Sequence, residues 1–92
     1  MSIVPARIVF EQAGPRLHAV EIVRGSRSPV IASLHRALLA LGIVVSSYQA
    51  RAQGTELMER IVIERGDGGS VDDEQLSRRT KDAILRIAAD AP

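Results

Sequence analysis

The sequence predicts an α+β domain in two layers: a four-stranded sheet, antiparallel or mixed, with two helices on one face, in the order strand, strand, helix, strand, strand, helix. Three observations predict it. Three segments place their side chains with the period of an extended chain, and the β-branched run Ile43, Val44, Val45 marks a fourth. They come in two pairs, each broken by a glycine-containing turn. Two further segments carry one apolar stripe each at helical spacing, and such a stripe needs a cover, which a sheet supplies.

Residues 3–12, IVPARIVFEQ, set Val4, Ala6, Ile8 and Phe10 on one side and Ile3, Arg7 and Val9 on the other. This is the first strand. Ala13, Gly14, Pro15 and Arg16 break it, and residues 17–24 extend again, with His18, Val20 and Ile22 opposite Leu17, Ala19, Glu21 and Val23. A hairpin turning at Gly14 and Pro15 joins the two. Ser28 is placed to accept from the first turn of a helix, and Pro29 suits its first position, where a missing N–H costs nothing. Val30, Ile31, Leu34, Leu38 and Leu41 then gather on one face, away from His35 and Arg36. Gly42 follows in the place of a left-handed helix stop, and the β-branched run Ile43, Val44, Val45 starts the third strand.

Gly54 and Thr55 turn the chain into LMERIVIER, with Leu57, Ile61 and Ile63 on one face and Met58 and Val62 on the other. Residues 66–69 end that strand. Ser70 or Asp72 caps a last helix, with Gln75 completing a capping box after Asp72. Its inward stripe is Leu76, Thr80, Ala83, Ile84 and Ile87, and Asp73, Glu74 and Arg86 suit its dipole. Apolar residues on both faces of the strands predict more than a sandwich. Val23, Met58 and Val62 would stay wet if the helices cover only the other face, so they are the expected interface of a homo-oligomer, a dimer or larger.

At 92 residues the chain is expected to be one domain, residues 1–92. With one Phe and one Tyr, its core must be aliphatic. The 12 basic and 11 acidic residues are spread along the chain, which leaves no electrostatic footprint for nucleic acid or an anionic membrane. The absence of cysteine excludes disulfides, thiolate metal sites and a cysteine nucleophile. No signal-peptide pattern and no membrane-spanning apolar run is present, so a cytoplasmic location is expected.

The residues that resemble catalytic groups have plainer readings. His18 and His35 stand apart from acidic residues at metal-ligand spacing, and Asp72, Asp73 and Glu74 are accounted for by the start of a helix. Residues 66–69 lack the Lys-Ser or Lys-Thr pair of a phosphate loop. Arg78, Arg79, Lys81 and Arg86 read as a solvated helix face without aromatic neighbours for base stacking. No enzyme, metal or cofactor is expected. The loop Gly25, Ser26, Arg27, Ser28 brings hydroxyls, a fixed positive charge and a helix N-terminus together, the chemistry of a small-carboxylate site.

The run LHRALLALGIVVSSYQARAQG, with LMERIVIE, a glycine turn and VDDEQLSRRTKDAILRI after it, resembles the ACT domain, a small ligand-sensing and dimerising module. It is similar to the copies in the bacterial uridylyltransferase that modifies the nitrogen-regulatory signalling protein. The likeness spans about residues 17–88 and includes Leu41, Gly42, Ile43 and Gly54. It implies a ferredoxin-like sandwich and a ligand held between the loop of Gly25 to Ser28 and the start of the next strand, at Val45, Ser46 and Ser47, often across a subunit boundary. Where the family has an Asp-Arg-Pro-Gly turn this chain has Ser26, Arg27, Ser28 and Pro29, so only the arginine matches. The family's last strand has no counterpart in residues 88–92, and residues 3–12 are expected to fill that edge. The expected function is a stand-alone, non-enzymatic regulatory module that dimerises and binds an amino acid or other small carboxylate, or acts on a larger regulated protein. The alternative is a structural or adaptor domain that mediates assembly without a ligand.

Overall fold

A computed structural model describes residues 7–14, 16–25, 29–67 and 74–90, with the side chains of residues 74–76 and 90 excepted. The elements are β1 (Arg7–Gln12), β2 (His18–Arg24), α1 (Ile31–Ala40), β3 (Ile43–Gln53), β4 (Glu56–Arg65) and α2 (Glu74–Asp90). Residues 3–6 of the expected first strand lie outside the described residues.

The sheet is open and antiparallel throughout, in the order β1-β2-β4-β3. β1 therefore occupies an edge beside β2, with Ile8 opposite Ile22 and Phe10 opposite Val20. The period of two sorts every strand into two faces. On one face stand Ile8 and Phe10, Val20 and Ile22, Ile61 and Ile63, and Ile43. These share a single core with Leu34 and Leu38 of α1 and Ile84 and Ala88 of α2. The core is aliphatic, with Phe10 and Tyr48 only at its margin. The opposite face carries Arg7, Val9 and Glu11, then Glu21 and Val23, then Met58, Arg60 and Val62.

Two details of the sequence reading change. The start of α1 is later than Ser28 and Pro29 suggest: Val30 is its N-cap, with no side-chain cap, and Ser28 lies outside the described residues. The physical reason is a carboxylate from β4, described below, which satisfies the Val30 N–H. The last helix runs on to Asp90, so Arg86 sits more than a turn's worth of carbonyls short of its end and no basic residue occupies the last turn. Its proposed caps, Ser70 and Asp72, lie outside the described residues. Along its inward stripe Thr80 and Ile84 are buried, joined by Ala88, while Ala83 and Ile87 are partly buried.

Gly42 ends α1 with φ +76, and its carbonyl accepts from the Gly66 N–H at 2.8 Å, tying the α1–β3 turn to the end of β4. A Cβ at Gly42 would meet nothing within 4 Å, so only the left-handed backbone resists substitution. Gly42→Ala is expected to lower stability by about 1 kcal/mol, and Gly42→Asn by less, as read from urea unfolding.

Candidate functional site

Alternation along β4 puts an acid where an aliphatic residue is expected: Glu59 stands between Leu57 and Ile61 on the core face and is 1% exposed. A buried carboxylate must be matched by donors. The Val30 N–H donates to both of its oxygens, at 3.1 Å each, and the Tyr48 hydroxyl donates to Oε2 at 2.8 Å. Glu59 is thus the anion at the N-terminus of α1, where free N–H groups and the helix dipole favour negative charge. It pins α1 to the sheet at the point where Pro29 withholds one donor and no side chain caps the helix.

Tyr48 reaches this carboxylate because of a bulge. The register passes from Val45 opposite Ile63 to Ser47 opposite Val62, leaving Ser46 as the extra residue, and its hydroxyl donates to the Val62 carbonyl at 3.3 Å. The inserted residue flips the rest of β3, so that Tyr48 faces the core opposite Ile61. Partial burial and the neighbouring Glu59 charge push the Tyr48 phenol up to about 12 from 10.0. A raised pKa in the folded chain makes a contribution to stability that is complete below pH 10 and is lost as the pH rises towards 12. Tyr48 is the only tyrosine and there is no tryptophan, so tyrosinate absorbance reports this group alone. Its midpoint is expected near pH 12 in the wild type and lower in Glu59→Gln, if the fold persists to that pH as judged by far-UV circular dichroism.

The sequence-derived ligand residues are spread over the molecule. Gly25 is exposed at the end of β2, and Ser26, Arg27 and Ser28 lie outside the described residues. Val45 packs against the core, while Ser46 and Ser47 are exposed. Through Ile63, Val45 is level with His18, at the other end of β2 from Arg24. That is the whole seven-residue strand, about 20 Å at ~3.3 Å per residue. Within one chain, therefore, Gly25 and residues 45–47 do not form one pocket.

The expected interface residues do share a face. Val23 lies opposite Met58 and Ala19 opposite Val62, two rows of apolar side chains on the side away from the core. Val23, Met58 and Val62 are each half-buried, and Val9 is 54% exposed. Between the two rows runs a charged one, in which Glu21 lies opposite Arg60. Arg60 bridges Glu11 at 3.0 Å and Glu21 at 3.1 Å, and both carboxylates raise its pKa further.

No family model, no curated protein and no solved structure matches this chain. Among the described residues no group of three or more His, Asp or Glu side chains is placed to hold a metal ion, and no helix is long and apolar enough to cross a membrane.

Proposed function

We propose that this chain is an ACT-like, non-enzymatic assembly module, a ferredoxin-like sandwich with both helices on one face and β1 in place of the family's last strand. Two copies associate through the face of the sheet that carries Val23, Met58 and Val62. The observation that carries this reading is the order of the rows on that face. A twofold axis parallel to the strands, midway between β2 and β4, sets β2 of one copy over β4 of the other. Val23 then meets Met58 of the second copy and Glu21 meets Arg60, while Val62 lies over the row of Ala19, a residue its own chain already covers at 0% exposure. Apolar groups face apolar groups and opposite charges face each other, as a self-complementary twofold contact requires.

The charged row supports the reading as well. Covering a charge is costly when it is left unpaired, but Arg60 already has two carboxylate partners within its own chain. Two twisted sheets stacked this way keep their strands within about 30° of each other.

Regulation by a carboxylate at the loop of Gly25 to Ser28 is the less favoured reading, because Glu59 already supplies a carboxylate to the first free N–H of α1. Sedimentation velocity tests the proposal: the wild-type chain is expected to run as a dimer in the micromolar range. A monomer that persists to millimolar concentration would overturn it.

A further inference from the structure

Charge is even along the sequence but not over the fold. The strands hold five basic and five acidic residues, and the helices five basic and three acidic. Glu74 and Asp90 are the end residues of α2, so all of α1 and the turns of α2 between them carry one acid, Asp82, against five cations. The pairing differs as well. On the strands Arg7, Arg60 and Arg65 are ion-paired and Arg24 is buried. Arg36, Arg79 and Arg86 are exposed and form no ion pair among the described residues. Because α1 packs beside α2 over the core, these three arginines lie on the side of the molecule away from Val23, Met58 and Val62. Arg79 and Arg86 are two turns apart on one side of α2, about 10 Å at 1.5 Å per residue. Exposed leucines stand beside the arginines: Leu39, at 51%, a turn after Arg36, and Leu85, at 49%, next to Arg86.

We propose that the outer side of α1 and α2 docks an acidic amphipathic helix of another protein. The single exposed carboxylate of Asp82 cannot balance three arginines, so the surface is complementary to a negatively charged partner. Guanidinium groups hold carboxylates through paired N–H groups, and glutamates two turns apart on a helix match the spacing of Arg79 and Arg86. Leu39 and Leu85 give such a helix an apolar contact beside its charges. A nucleic acid would find no Phe, Tyr or Trp on either helix to stack on. A bilayer would find two half-exposed leucines in place of the broad apolar face that interfacial helices bury. The docking face lies opposite the proposed sheet contact and does not depend on it.

The experiment is a fluorescence-anisotropy titration of a labelled synthetic helix that carries glutamates two turns apart beside a stripe of leucines. Saturable binding to the full chain is expected, and the same peptide with glutamine for glutamate should bind about tenfold more weakly. The double variant Arg79→Glu, Arg86→Glu should bind the glutamate peptide about a hundredfold more weakly and should bind a lysine version of it, a gain that damage to the fold does not produce. Leu85→Ser should weaken binding about threefold without altering its salt dependence. Equal binding of the glutamine peptide, or equal or tighter binding to a DNA duplex or to phosphatidylglycerol vesicles in the same salt, would overturn the proposal. So would an unchanged affinity in the double variant or in Leu85→Ser, or the absence of saturable binding.

Discussion

Glu59→Ala is expected to lower the free energy of unfolding by about 3 kcal/mol, the largest loss for any single truncation outside the aliphatic core. The substitution removes the acceptor for two groups at once, the Val30 N–H and the Tyr48 hydroxyl, and leaves a void between α1 and the sheet. An unsatisfied buried donor costs about 1–3 kcal/mol, and the void adds to it. Glu59→Gln keeps one acceptor oxygen but turns an amide N–H₂ towards donors, so a loss of about 1–2 kcal/mol is expected. Tyr48→Phe removes one hydrogen bond to a charged acceptor and should cost a similar amount. Because Glu59 and Tyr48 share that bond, the double variant should lose less than the sum of the two. Urea unfolding of the wild type, the three single variants and the double variant provides the check.

Val62→Glu is expected to convert the dimer to a monomer while leaving the fold in place. The side chain is half-buried in a single chain, so the carboxylate can turn to solvent there and stability should change by about 1 kcal/mol or less. In the proposed dimer each copy places it over the covered row of Ala19 of the other, and the nearest basic group on that face, Arg60, is already held by Glu11 and Glu21. Two such burials at about 2 kcal/mol each weaken association roughly a thousandfold. Sedimentation of the variant beside the wild type separates the two effects, since a misfolded chain would lose its circular dichroism as well.

Much of the fold was legible in the sequence because most of its elements obey one period. The alternation of Ile8 and Phe10, of Val20 and Ile22, and of Ile61 and Ile63 placed the core face of three strands, and Leu34 and Leu38 placed that of α1. Gly42 and Gly54 marked turns that do require a left-handed backbone, with φ +76 and +60. The start of α1 was misread because capping is usually local, and Ser28 stood in the usual place. Here the donor is met from 29 residues away, by Glu59. The signal was an acid at an inward position of β4, between Leu57 and Ile61.

Tyr48 escaped the reading for a different reason. Strict alternation from Val45 assigns it to the outer face, and only the bulge at Ser46 turns it inward. Nothing local marks a bulge made of two serines. Thr80 read simply as part of an apolar stripe, yet its buried hydroxyl has no hydrogen-bond partner among the described residues. Whether its hydroxyl has a partner is a property of packing, not of pattern.

The central claim is that two copies meet across the sheet face with β2 over β4, and crosslinking tests it most directly because the native chain has no cysteine to interfere. Val23→Cys and Met58→Cys chains are prepared separately, mixed and oxidised. The proposed axis predicts a mixed disulfide between the two variants, in preference to either self-linked dimer, and its loss when Val62→Glu is added to both. Efficient linking of Val23→Cys to itself, or no linking of the mixed pair at concentrations where the wild type sediments as a dimer, would contradict it.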